Sequence, residues 1–207
     1  MRLSHFKWFV KKQKEKTDMK RFSILATMFL AALAMTAPAY AQDPAADALA
    51  AESLKKCEDT AKDKITVALI IEKVDKACAL IAKEGPAAFP KFRGKDSEFL
   101  FCGNYLWVHR LKDSVTLVHP VRPALEGKDM SGFKDKNGKA FFSEMNDVVK
   151  KSGSGWVEYY WPKPGAKDPS VKTSYVKLVK NGDTEYVVGC GVYDLTMEQV
   201  QKELAAK

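Results

Sequence analysis

Large aromatic side chains recur at every second position in two segments that have the composition of β-strands. Tyr105, Trp107 and His109 follow this spacing, and Tyr159 and Trp161 repeat it. Successive side chains of a strand point to opposite faces, so each set is predicted to share one face. Buried phenol and indole groups need hydrogen-bond partners. The pattern fits either an aromatic core or the wall of a small-ligand pocket, and the number of polar groups favours the pocket.

Two basic side chains could supply the polar contacts of such a pocket. Lys172 lies inside a strand-like segment and shares a face with Ser174, while Tyr175 belongs to the opposite face unless a bulge intervenes. A strand lysine is costly to bury unless it meets an anion or a carbonyl. The alternative is a solvated strand lysine. His119 precedes Pro120, and its alternative is a structural histidine.

Recognisable enzyme signatures are missing. The Gly153-Ser154-Gly155 segment does not have the Gly-x-Ser-x-Gly pattern of a nucleophile elbow, and Gly189-Cys190-Gly191 lacks the lysine and the following helix of a phosphate loop. Beyond the first 41 residues only His109 and His119 remain, which disfavours a metal cluster or a catalytic triad. We therefore expect no enzymatic activity, no metal and no cofactor.

The first 41 residues resemble an export signal. Two cations at Lys20 and Arg21 precede an apolar stretch that ends in small residues, which predicts cleavage after Ala41 and allows a true start at Met19. The alternative is a retained helix that anchors a membrane-bound sensor. This segment carries eight basic and two acidic residues, and the rest of the chain is close to neutral, with 26 basic and 24 acidic residues. The charge therefore indicates no nucleic-acid partner, and no later segment is apolar enough for a stable membrane span. We expect a periplasmic or secreted bacterial protein.

Four cysteines follow the export signal, and an oxidising compartment favours disulfides between them. Cys57 and Cys78 lie in helical segments and would be roughly 31 Å apart on one continuous helix, so they can pair only if the chain turns back. Cys102 and Cys190 lie in strand-like segments and could bridge neighbouring strands. Three pairings are possible, and buried free thiols are the alternative.

Hydrophobic periodicity predicts an α+β fold. A helical pattern runs over 52–83, with an apolar stripe at Val67, Ile70, Val74, Ala77 and Ile81, and Gly85-Pro86 ends it. Strands are expected at 99–111, 114–119, 156–161, 171–179 and 184–193, with a helix over 140–151 between the second and third. This order predicts an antiparallel sheet. Residues 42–64 form a helical or flexible start, and 196–207 a tail or short helix.

Six segments together resemble the second type of the single Cache domain family, over residues 65–195. They are His119-Pro120, Leu125–Met130, Lys134–Lys139, Gly153–Gly165, Lys172–Val176 and Val188–Tyr193.

The resemblance implies a PAS-like extracytoplasmic sensor domain, in which a long N-terminal helix packs on a five-stranded antiparallel sheet and a small metabolite binds on the opposite face. By position, the implied ligand-binding residues are Tyr105, Trp107, His119, Tyr159, Trp161, Lys172 and Tyr175. Lys172 would contact a carboxylate, so a small organic acid is the expected ligand. With no transducing domain of its own, the protein would signal through a membrane receptor or kinase. The alternatives are a scaffold domain with a filled pocket and the membrane-anchored sensor.

Overall fold

An antiparallel sheet with helices on both faces forms the described part of the protein, residues 43–60 and 65–206 of a computed structural model. The α-helices are α1 (Pro44–Thr60), α2 (Val67–Glu84), α3 (Phe141–Ser152) and α4 (Met197–Ala205). The strands are β1 (Leu100–Phe101), β2 (Asn104–Arg110), β3 (Thr116–Val118), β4 (Ser154–Pro162), β5 (Pro169–Asn181) and β6 (Thr184–Tyr193). Short 3₁₀ helices span Gly85–Phe92 and Pro123–Leu125.

The sheet has the strand order β1-β2-β6-β5-β4, and β3 pairs with β2 on the same side as β1. All of these pairings are antiparallel. The α+β prediction is therefore confirmed, with the two-residue strand β1 added to the five strands that the sequence predicted.

Helix α2 covers one face of the sheet with the apolar stripe that the sequence predicted. Val67, Ile70, Val74, Ala77 and Ile81 are all fully buried, and the helix packs mainly on β5 and β6. The Thr66 side chain accepts a hydrogen bond from the Leu69 N–H and caps the first turn. At the other end Gly85 has a positive φ of 58° and donates its N–H to the Ile81 carbonyl. Helix α3 covers the opposite face.

The predicted long helix and the predicted first strand are both interrupted. Instead of one helix over 52–83, α1 and α2 are separate helices, and the Thr66 cap begins the second. Instead of one strand over 99–111, β1 and β2 form a tight hairpin around Cys102 and Gly103, both with positive φ. Glycine reaches this backbone region without strain.

The two interruptions bring one cysteine pair together. Cys57 of α1 bonds to Cys102 of the β1–β2 turn across 45 residues of sequence. The suggested bridge between Cys102 and Cys190 is therefore wrong, because Cys102 turns away from the sheet to meet α1. Cys78 and Cys190 are buried free thiols within the core between α2 and the sheet, where burial raises the pKa of each to about 12.

No helix in residues 43–60 and 65–206 is long and apolar enough to cross a membrane. The predicted export signal and its cleavage site after Ala41 lie outside the described residues.

Candidate ligand-binding site

Alternation along the strands sorts the aromatic side chains to the sheet face that α3 covers. On β2, Leu106 and Val108 pack in the core with α2, so Tyr105 and Trp107 point the other way. On β4, Tyr159 and Trp161 point to this same face, where the Tyr159 ring stacks on Phe141 of α3 at 4.2 Å between centroids. Lys172 lies opposite Tyr159 in the β4–β5 register and opposite Tyr193 in the β5–β6 register.

Two glycines of the central strand β6 make room for these side chains. Gly189 lies opposite Trp107 in the register, and a Cβ built on Gly189 would come within 2.2 Å of the indole ring. A Cβ on Gly191 would lie 2.1 Å from Ser174 Oγ and 2.5 Å from Lys172 Cε. Real Cβ atoms do not approach neighbours this closely, so β6 must lack side chains here for Trp107 and Lys172 to lie flat across it.

A small closed cavity lies between the sheet, α3 and the connection from β3 to α3. We refer to it as the aromatic cavity. It is lined by Tyr105, Trp107, His119, Phe141, Phe142, Tyr159 and Trp161. Its volume is about 10 Å³, close to the minimum that one water molecule needs. The site therefore has the chemistry of a ligand pocket but is closed around its own side chains.

The Lys172 ammonium is buried among aromatic rings beside this cavity. Only 1% of the residue is exposed. Its Nζ lies 4.1 Å from the ring centroid of Tyr105, 4.5 Å from that of Tyr193 and 5.5 Å from that of Trp107, and it donates a hydrogen bond to Tyr193 Oη at 3.3 Å. None of the ion pairs among the described residues includes Lys172. The cation is therefore stabilised by ring faces and one hydroxyl, with no carboxylate.

His119 provides a second polar group at the cavity. Its ring lies 4.9 Å from Tyr105 and 6.1 Å from Trp161 between centroids, and it is 3% exposed. Burial, together with the positive charges of Lys172 and Arg122, holds the pKa of His119 well below its ordinary value, so the ring is neutral. Its Nδ1 is buried and has no hydrogen-bond partner among the described residues.

Hydrogen bonds among buried side chains attach α3 to the sheet. Trp107 Nε1 donates to His109 Nδ1 at 3.3 Å, which leaves the His109 proton on Nε2, and Nε2 donates to Asn146 Oδ1 at 2.9 Å. Asn146 Nδ2 in turn donates to Ser114 Oγ at 2.8 Å. Burial lowers the pKa of His109 to about 4, although the bond to Asn146 opposes this shift. The network fixes α3, and with it Phe141 and Phe142, over the aromatic cavity.

Six of the seven residues implied by the resemblance come together at this face: Tyr105, Trp107, His119, Tyr159, Trp161 and Lys172. Tyr175 does not. It points to the opposite face, where its ring lies 5.3 Å from that of Trp156 and packs against the core under α2. No bulge interrupts the β4–β5 register between Lys172 and Tyr175, so the strand alternation separates the two side chains.

Three contributors to the site were not among the predicted residues. Tyr193 accepts the Lys172 hydrogen bond and lies 3.3 Å from Tyr105 Oη. Arg122 is 2% exposed and stacks over the Trp161 ring at 5.9 Å. Phe141 stacks on Tyr159. Tyr193 could have been found from its alternation with Gly189 and Gly191, and Phe141 from the apolar stripe of α3, whereas Arg122 lies in an irregular segment that has no periodicity.

An antiparallel sheet of this topology, with the aromatic cavity between the sheet and a covering helix, is typical of a PAS-like sensor fold. The family model described as "Cache domain" matches residues 97–207. This is more than half of the chain, and the chain belongs to the Cache domain family.

One similar protein is a chemotaxis receptor. The methyl-accepting chemotaxis protein McpP of Pseudomonas putida is 38% identical over 102 residues, which make up 49% of this chain. The match spans only 18% of that receptor's length.

Solved sensor domains are also similar. A methyl-accepting chemotaxis protein of Vibrio parahaemolyticus has a TM-score of 0.51 at 22% identity, covers 70% of this chain and is itself covered to 95%, and it shows the shared fold. A structure titled "Periplasmic sensor domain of chemotaxis protein" is 32% identical with a TM-score of 0.49, and the match covers 70% of this chain and 96% of that one. Another, titled "Structural basis for carboxylic acid recognition by a Cache chemosensory domain", is 33% identical with a TM-score of 0.46, and the match covers 68% of this chain and 94% of that one.

Proposed function

We propose that this protein is a sensor domain that binds a small organic acid in the aromatic cavity, with Lys172 as the anion contact. The observation that carries the proposal is the fully buried Lys172 cation without a carboxylate partner. A charge removed from water is costly unless it is paired. The carboxylate of a ligand would complete the pair, and the aromatic rings would pack against the rest of the molecule.

The polar groups around Lys172 suit a carboxylic acid. His119 Nδ1 has no partner among the described residues, and the hydroxyls of Tyr105 and Tyr193 lie 3.3 Å apart beside the ammonium. These groups can donate to or accept from the oxygens of one bound acid. A ligand with an amide in place of the carboxylate would keep the shape but leave Lys172 without its counter-charge.

Ligand binding must enlarge the aromatic cavity, because about 10 Å³ cannot hold an organic acid. The sheet is the rigid wall, since its strands are paired on both sides of the site. The walls that can move are the irregular connection between β3 and α3, which carries His119, and α3 itself, whose movement requires the hydrogen bonds through His109 and Asn146 to break. We therefore expect the described conformation to be the closed, ligand-free one, and an acid to select a more open state.

The experiment is a thermal-shift and calorimetric screen of carboxylic acids with two to six carbons, each paired with its amide. A ligand at 100 times its Kd should add about 2.7 kcal/mol to the free energy of unfolding. We expect acids to stabilise the protein and their amides to do so far less. Lys172→Met should abolish this response, and Lys128→Met serves as the control because Lys128 is exposed. Equal responses to acids and amides would contradict the proposal.

The small cavity favours one alternative, an interaction domain whose pocket is a filled core. Its prediction is that no acid, amine or amide stabilises the protein and that amide hydrogen exchange over α3 does not change with any compound. The same screen, with hydrogen exchange measured alongside it, therefore separates the two functions.

We further propose that the domain acts in the bacterial periplasm and passes its signal to a membrane receptor or kinase. The sequence pattern up to Ala41 and the Cys57–Cys102 disulfide support export, because disulfides persist in oxidising compartments. The similarity to a chemotaxis receptor supports the sensing role. Mass spectrometry of the exported protein tests the first part: an N-terminus at Gln42 is expected, and a retained leader would contradict it.

A further inference from the structure

Helix α1 lies against the β1–β2 hairpin through one face of small side chains. Ala46, Ala50, Ser53 and Cys57 recur at intervals of four, three and four residues, which keeps them on one face of the helix. The first three of them are buried. Because these side chains are short, the helix backbone lies close to whatever this face covers.

This face of α1 packs behind two walls of the aromatic cavity. Ala46 and Ala50 form one buried apolar cluster with Tyr105 and Val121. Tyr105 lines the cavity, and Val121 belongs to the connection between β3 and α3, two residues after His119. Since this connection is a wall that can move when an acid binds, α1 lies where it restrains the movement.

The two ends of α1 are held in different ways. Near its C-terminal end, Cys57 is bonded to Cys102 of the β1–β2 turn, and Ser53 Oγ accepts a hydrogen bond from the Gly103 N–H at 3.0 Å. At the other end, no hydrogen bond or ion pair within the described part of the chain joins residues 44–50 to another element. The first half of the helix is therefore held by apolar packing and by its continuity with the anchored half.

Packing alone holds this first half of α1 weakly. Its buried apolar side chains are Ala46 and Ala50, with Leu49 partly buried beside them, and alanine has little apolar area to bury. In addition, Oδ1 of Asp47 is buried and has no hydrogen-bond partner among the described residues, and burying an acceptor without a donor is costly. The disulfide offsets this weakness, because a covalent link keeps the released half of the helix near its docking position.

We propose that α1 is a strap that restrains the opening of the aromatic cavity, with the Cys57–Cys102 disulfide as its anchor. The inference rests on the proposed acid site, because it describes how access to that site is regulated. While the disulfide is intact, α1 returns quickly to Tyr105 and Val121, and the closed state is favoured. Without the disulfide, α1 is released more often, so a larger fraction of the molecules is open and the apparent acid affinity rises.

Reduction of the disulfide by a dithiol is the chemical change that releases the strap. The dithiol gives two electrons and two protons to the Cys57–Cys102 bond, which becomes two thiols while the dithiol becomes a disulfide. Cys57 is half-buried and Cys102 is buried, so the attacking thiolate is expected to reach the Cys57 sulfur first. The acid affinity of the domain then depends on the thiol redox state of its compartment.

Amide hydrogen exchange of the acid-free exported protein tests the strap directly. We expect the amides of residues 119–125 to exchange about tenfold faster in the Cys57→Ser/Cys102→Ser variant than in the parent chain, because the connection opens more often. Val74→Ala is the control for lower overall stability, since it leaves a cavity in the core under α2 and keeps the disulfide. If residues 119–125 exchange no faster in the disulfide-free protein than in this control, the strap is refuted.

Ala50→Leu tests the same contact without touching the disulfide. The larger side chain at this buried position should push α1 away from the cluster and speed exchange over residues 119–125. Ala48→Leu is the matched control, because Ala48 lies on the exposed side of α1. Equal exchange over 119–125 in these two variants would overturn the proposal, whether or not the disulfide-free variant folds.

An NMR titration with butanoate, before and after reduction with dithiothreitol, tests the effect of the strap on the acid site. We expect the Kd of the parent chain to fall about threefold or more on reduction. The same reductant should leave the Kd of the Cys57→Ser/Cys102→Ser variant unchanged. An equal or higher Kd of the parent chain after reduction would overturn the regulation. Butanoate that binds neither form would contradict the proposed acid site, while the exchange experiments would still decide whether α1 is a strap.

Discussion

Replacing Lys172 with methionine is expected to move stability and affinity in opposite directions. Methionine has a similar length and no charge, so it can fill the same space among the three rings. Removing a charge from water costs several kcal/mol in a protein interior, and the cation–ring contacts and the bond to Tyr193 return part of this. With no carboxylate in place, we expect Lys172→Met to raise the free energy of unfolding of the ligand-free protein by about 1–3 kcal/mol.

The acid affinity should fall by more than a hundredfold in the same variant. Losing one partner of a buried, hydrogen-bonded charge pair costs roughly 2–5 kcal/mol, and about 3 kcal/mol corresponds to more than two orders of magnitude in Kd. Urea unfolding with and without a saturating acid measures both quantities. Lys128→Met, an exposed lysine, should change neither. Lower stability combined with unchanged acid affinity would refute the reasoning, because it would mean that the cation serves the fold and not a ligand.

Three further predictions concern the elements around the site. Gly191→Ala should lower the free energy of unfolding by about 1–3 kcal/mol and weaken acid binding, because the new Cβ would collide with neighbouring side chains. Gly132→Ala is the control, since a Cβ there has open space and should be neutral. Equal stability of the two variants in urea unfolding would contradict this prediction. Removing the disulfide with Cys57→Ser and Cys102→Ser should lower the free energy of unfolding by about 4 kcal/mol, because the unfolded chain loses the constraint of a loop of about 45 residues. Chemical reduction of the parent chain is the control and should give the same loss. A loss below about 1 kcal/mol would show that the cross-link contributes little to stability. The pKa of His109 is about 4 in the folded protein and near 6.5 when unfolded, so its contribution to stability is complete above pH 6.5 and is lost as the pH falls towards 4, at about 1.4 kcal/mol per pH unit. The free energy of unfolding measured between pH 4.5 and 6.5 should lose this part of its pH dependence in His109→Gln. An unchanged slope in the variant would contradict the assignment.

The sheet and its two faces could be predicted from the sequence because strand alternation is a strict geometric rule. Tyr105 and Trp107, two residues apart, had to share a face, and so did Tyr159 and Trp161. The same rule placed Tyr175 on the opposite face from Lys172, and the structure follows the rule. The resemblance included Tyr175 by position in the sequence alone, which does not distinguish the two sides of a strand.

The break between α1 and α2 could not be predicted from periodicity alone. No glycine or proline interrupts the segment between Glu52 and Lys83, so its composition allows one continuous helix. The local signal was Thr66, a residue that caps helices well, directly before the apolar stripe. Likewise Gly103 inside the predicted first strand was a signal for the turn that carries Cys102 to α1. Each signal is a single residue. Tertiary contacts therefore decide whether the helix or strand continues at that point or turns.

The closed state of the aromatic cavity was beyond the reach of the sequence. Spacing indicates which side chains share a face, whereas the space left between them depends on rotamers and on how closely α3 approaches. That approach is fixed by hydrogen bonds between side chains more than 30 residues apart, such as His109 with Asn146.

The two glycines of β6 and the side chains that lie over them are expected to vary together in other members of the family. Since Lys172 lies over Gly191 and Trp107 over Gly189, a larger side chain at one position of each pair requires a smaller side chain at the other. Homologous chains with alanine or serine at position 191 are therefore expected to carry a shorter residue at position 172, and to have changed the charge of the molecule they recognise along with it.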